Sequence, residues 1–68
     1  MKYEQLSVLI ENIIQYADEI RQKEEINDID YGQLLAYAEC LTIIQELCSK
    51  EDLERMGLAF DIDSRYLL

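Results

Sequence analysis

Two thiols, Cys40 and Cys48, are the side chains of this 68-residue sequence best suited by type to nucleophilic chemistry. A reactive cysteine needs a neighbour that stabilises the thiolate, and the sequence contains no histidine at all. The first cation after either thiol is Lys50, so both cysteines read as packed core residues rather than nucleophiles. Absence of histidine also removes the commonest general base and transition-metal ligand. Two acidic groupings remain. Asp28, Asp30, Gly32 and Glu39 place carboxylates at positions 1, 3 and 12 of a calcium-loop pattern, but the glycine falls at the fifth position rather than the sixth. Glu51, Asp52 and Glu54 crowd what reads as a helix start, where carboxylates already complement the helix dipole. No metal site, cofactor or catalytic residue is expected.

The overall charge sharpens the exclusions. With 15 acidic and 6 basic side chains, a formal charge of -9, the surface repels phosphate backbones and anionic membranes alike. Direct nucleic-acid and membrane partners are therefore not expected. The acids allow a different relation to nucleic acid, because Glu4, Glu11, Asp18 and Glu25 recur once per heptad. If Asp28, Asp30, Asp61 and Asp63 filled the gaps, such a ridge could imitate phosphates and block a DNA-binding protein. Solvation of an ordinary helix face accounts for the same ridge without a partner.

The elements that carry these residues are helical. Tyr3, Leu6, Ile10, Ile13, Ala17 and Ile20 alternate spacings of three and four, predicting a first helix over about 2–24, with Leu9 and Tyr16 widening its apolar stripe. A short polar connection then returns the chain as an antiparallel hairpin. The second helix is predicted over about 31–49, with Asp30 as N-cap, Gln33 completing a capping box, and Ile29 stapled against Leu34. Ser49 and Asp52 form a second capping box that opens a short third helix over about 50–56. Gly57 then closes it, with Leu53 and Leu58 in the contact that accompanies a Schellman motif. Beyond it, Leu58, Phe60 and Ile62 alternate with Ala59, Asp61 and Asp63, predicting an extended C-terminal arm, with a final turn capped by Asp63 as the alternative.

The run Ile44-Gln45-Glu46-Leu47-Cys48, on the second helix of a short hairpin, resembles the Ser-Gln-Glu-Leu-Asp signature of the small two-helix phosphatases that act on sporulation response regulators. Ile44 and Cys48 stand where that signature has its serine and its functionally important aspartate. The activity is therefore not carried over, and a phosphatase-like regulator is kept as an alternative only.

The second helix is apolar around more than half its circumference. At about 100° per residue, Leu34, Tyr37, Ala38, Leu41, Ile44 and Cys48 form one seam, and Ala36, Cys40, Ile43 and Leu47 a second. The first seam should pack on the first helix. The second must meet the third helix and arm, or a second chain, with Phe60, Ile62 and Tyr66 as further interface residues. The expectation is a single all-α domain over residues 1–68, associating as a homodimeric helical bundle. Cys40 and Cys48 lie about 12 Å apart along one helix, too far to bridge. With no leader segment, the chain is expected in a reducing cytoplasm. The function expected is non-catalytic binding or regulation through protein–protein contact, with a partner of basic or apolar surface as the alternative to a second copy.

Overall fold

In the computed structural model, which describes residues 2–67, the chain runs through α1 (Tyr3–Arg21), α2 (Asp28–Leu47), α3 (Lys50–Arg55) and α4 (Ile62–Tyr66). The described residues contain no strand. α1 and α2 form the expected antiparallel hairpin, and α4 packs against both. The first seam of α2 meets α1: Leu34, Ala38 and Leu41 are buried together with Ile10, Ala17 and Ile20. Tyr37, Ile44 and Cys48 border this core and are partly covered, and the Tyr16 and Tyr37 rings sit 6.2 Å apart at its edge.

α2 begins one turn earlier than the sequence pattern predicts. Asn27 is the N-cap: its side-chain oxygen accepts from the Asp30 backbone N–H at 2.8 Å, and Asp30 Oδ2 accepts in return from the Asn27 N–H at 3.4 Å. Two overlapping capping boxes are written here, Asn27 with Asp30 and Asp30 with Gln33, and the first wins because Asp30 gains a third partner. Its Oδ1 accepts from Lys23 Nζ at 2.9 Å, across the connection. The carboxylate is thus buried and paired, and the Lys23 ammonium holds it below the usual carboxylate range, aided by the Asn27 N–H and opposed by burial. Ile29, expected as a staple outside the helix, is instead its second residue and points to solvent.

The third helix follows its sequence signals. Ser49 Oγ accepts from the Asp52 N–H at 3.2 Å. Gly57, at φ +73°, closes α3 as Leu58 N–H donates to the Leu53 carbonyl at 2.9 Å and Gly57 N–H to that of Glu54 at 3.3 Å, the paired bonds of a Schellman motif.

The tail is not an extended arm. Asp61, not Asp63, caps a helical turn: its carboxylate accepts from the Ser64 N–H at 3.3 Å and from the Ser64 hydroxyl at 3.0 Å, contacts that lower its pKa. Leu58, Ile62 and Tyr66 are spaced by four, so the alternation that suggested a strand overlies a helical period that uses the same apolar residues. All three are buried. Two long-range ties hold this segment down. Gln45 Nε2 donates to the carbonyls of Leu58 and Phe60, both at 2.8 Å, and Asp18 of α1 receives Arg65 Nε at 3.3 Å, Arg65 Nη2 at 2.8 Å and the Tyr66 hydroxyl at 2.8 Å. The Arg65 guanidinium also lies 4.6 Å from the centre of the Phe60 ring. Burial, reinforced by the bond to Asp18, raises the Tyr66 phenol above its ordinary value. The stabilisation linked to its protonation is therefore complete below about pH 10 and declines progressively as pH rises above that value towards the raised pKa.

Two measurements check these local readings. An added Cβ at Gly57 meets nothing within 4 Å, so Gly57→Ala costs only the left-handed backbone conformation, about 1 kcal/mol, or roughly 5 °C in Tm. Because the pKa of Asp30 is lowered by folding, its charge favours the folded state above about pH 4 and ceases to do so as pH falls below that value. The Tm advantage of the native chain over Asp30→Asn should accordingly be present at neutral pH and shrink progressively as pH falls below about 4, as read by circular dichroism melts. An advantage that grew on acidification would contradict the assignment.

Candidate interaction face on α2

With the core seam of α2 turned to α1 and α4, its outer side is left uncovered. Ala36, Cys40, Ile43 and Leu47 all lie exposed there, Ile43 at 55% and Leu47 at 81%. Among the described residues, neither α3 nor α4 covers this second seam. The earlier helix start adds Ile29, 73% exposed, to this row, and the exposed Gln33 lies on the same line. Ile29 carries the same periodicity as Ala36 and Ile43, and its place on this face was hidden only by the displaced N-cap. At about 100° per residue the six positions occupy an arc of about 80°, on the side of the helix away from the core. One flank carries the exposed acids Glu39 and Glu46; the other carries the half-buried Tyr37 and Ile44.

Of the other residues expected at an interface, Phe60 is half-buried, while Ile62 and Tyr66, at 3% and 2% exposure, belong to the core of the chain. Their apolar surface serves to seat α4 and is not available to a partner in this fold.

Beside the outer face, between α2 and α4, lies an open groove of about 400 Å³ whose walls include Leu35, Thr42, Ile43 and Leu67, with Glu39 and Asp63 at its rim. A second, at the hairpin turn, has a volume of about 380 Å³ and is bordered by Arg21, Asn27, Tyr31 and Tyr66. Neither is lined by a thiol. Among the described residues no group of three or more acids or thiols is gathered as a metal ion would require, and no helix is long and apolar enough to cross a membrane. Gln45, the second residue of the phosphatase-like run, is occupied by the carbonyls of Leu58 and Phe60.

The acidic ridge is interrupted. Glu25 lies beyond the end of α1, and Asp18 is engaged by Arg65 and Tyr66, which leaves Glu4 and Glu11 as the exposed members on the helix. No protein-family model, curated protein or solved structure matches this chain.

The division of α2 into a core side and an outer side has a direct mutational test. In dilute solution Ile43→Glu, on the outer side, should leave the thermal melt within about 0.5 kcal/mol of the native chain. Leu41→Glu, two positions away, buries an unpaired carboxylate at a fully covered site and should unfold the protein. Comparable losses for both would show that the outer side is in fact core.

Proposed function

We propose that this chain is a small, acidic, non-catalytic interaction module that works by contact, its outer α2 face covering and being covered by a surface of another protein chain. The observation that carries this reading is the exposure of Ile29, Ile43 and Leu47 in one line along a helix whose opposite side is already buried. Isolated exposed apolar residues need no explanation, but an aligned row on one helix face does. Completing the burial of each is worth roughly 1 kcal/mol, given about 25 cal/mol per Å² of apolar surface removed from water. The fold does not need this row: the core, the caps and the ties to Asp18 and Gln45 are complete without it. Two unbridged cysteines, one of them exposed, suit the reducing cytoplasm in which we place the protein.

Cys40 supplies the test, because its thiol lies in the proposed contact. In a Cys48→Ser background, alkylation of Cys40 should be fast in dilute purified protein and several-fold slower in a concentrated native extract, with Ile43→Glu restoring the fast rate. Equal rates in the dilute sample and the extract would remove the reading.

A further inference from the structure

The side chains along the outer face of α2 indicate what covers it. Ile29, Gln33, Ala36, Cys40, Ile43 and Leu47 follow one another at intervals of four, three, four, three and four residues, the spacing of a coiled-coil seam. The row extends about 27 Å along the helix. Its bulk is nearly mirror-symmetric about the level of residue 38. Ile29 and Leu47 stand at the two ends, Gln33 and Ile43 inside them, and the small Ala36 and Cys40 at the middle. A face that matches its own reverse meets the requirement of a two-fold contact, in which one patch must be complementary to itself.

Resting on the interaction reading above, we propose that the outer face of α2 is covered by the same face of a second copy of this chain, antiparallel, with the two helices crossing at the level of residue 38. In that register Ile29 of one copy meets Leu47 of the other, Gln33 meets Ile43, and Ala36 meets Cys40. Bulk meets bulk at both ends, and the small pairs let the backbones approach at the crossing. A parallel contact would instead stack Gln33 on Gln33, setting the two amides of the row against each other. It would also align the two helix dipoles, which the antiparallel arrangement opposes favourably.

Charge opposes the contact and so gives it a signature. Each copy carries -9, and α2 itself holds Asp28, Asp30, Glu39 and Glu46 without a single cation. The antiparallel register brings Glu39 towards its own counterpart, and Asp28 towards Glu46 of the other copy. Screening these like charges should strengthen the association. A basic partner on the same face would show the reverse.

The purified full chain tests this by sedimentation. At about 100 µM it should run at twice its 8.0 kDa mass, and its association constant should rise several-fold between about 50 and 500 mM salt. Ile43→Glu should give the monomer with its helix content intact. For the register, Ile29→Cys and Leu47→Cys are placed on separate chains lacking Cys40 and Cys48, one chain tagged, and oxidised gently with copper phenanthroline as a mixture. Antiparallel pairing gives the tagged–untagged cross-link; a parallel pair gives only like-with-like cross-links and overturns the proposed register. A purified chain that stays monomeric while Cys40 is protected in extract overturns the second copy as occupant and leaves the interaction reading standing. Monomer without such protection removes both. Association that weakens with salt would overturn the contact between like-charged copies.

Discussion

Two antiparallel helices can bury only the stripe each turns towards the other, and a hairpin of this size leaves the groove along one side open. The rest of the structure depends on how that groove is closed. Leu58, Ile62 and Tyr66, spaced by four along the C-terminal segment, fill it and complete a core that contains Ile10, Ala17, Leu34 and Leu41. Apolar contact alone would leave so short a segment free to slide, since α4 has only five residues. Directional bonds fix its place. Gln45 grips the Leu58 and Phe60 carbonyls just before α4, and the Asp18 carboxylate takes both the Arg65 fork and the Tyr66 hydroxyl at its end. Bonds to a charged acceptor are among the stronger ones available, and here they join residues 47 and 48 positions apart.

That closure also determines what is left exposed. α4 lies against the inner flank of α2 and against α1, so Leu58, Ile62 and Tyr66 are spent on the inside of the hairpin. None reaches the outer face of α2, where Ile43 and Leu47 remain uncovered. The apolar excess of the second helix is thus divided: one part holds the fold together, and the other has no partner within the described chain.

The parts of this architecture that are legible in sequence are those with a local cause. The three-and-four spacing of α1, the core seam of α2, the Ser49 cap and the Gly57 close each depend on residues within one or two turns. The start of α2 is displaced from its sequence pattern because two capping boxes overlap, and the choice between them rests on Lys23, seven residues from Asp30. The tail misleads because Leu58, Phe60 and Ile62 satisfy a period of two, while Leu58, Ile62 and Tyr66 satisfy a helical one. Only the groove they fill distinguishes the two. The pairing of Asp18 with Arg65 and Tyr66 has no sequence signature, as any surface acid on α1 could read the same way. It nonetheless decides that the acidic ridge is broken and that Tyr66 is core.

An apolar row on an otherwise strongly acidic chain sets two forces of different range against each other. Repulsion between like-charged chains acts over about 8 Å at physiological ionic strength, before surfaces touch, and opposes every approach of two copies. Apolar burial acts only on contact and scales with the area that fits. A loose or misregistered encounter between two outer faces therefore incurs the repulsion without recovering the burial. Only an arrangement that covers Ile29, Ile43 and Leu47 together can exceed it. Charge of this kind discriminates against approximate contacts, and it allows a helix with two apolar sides to keep one of them exposed without indiscriminate self-association.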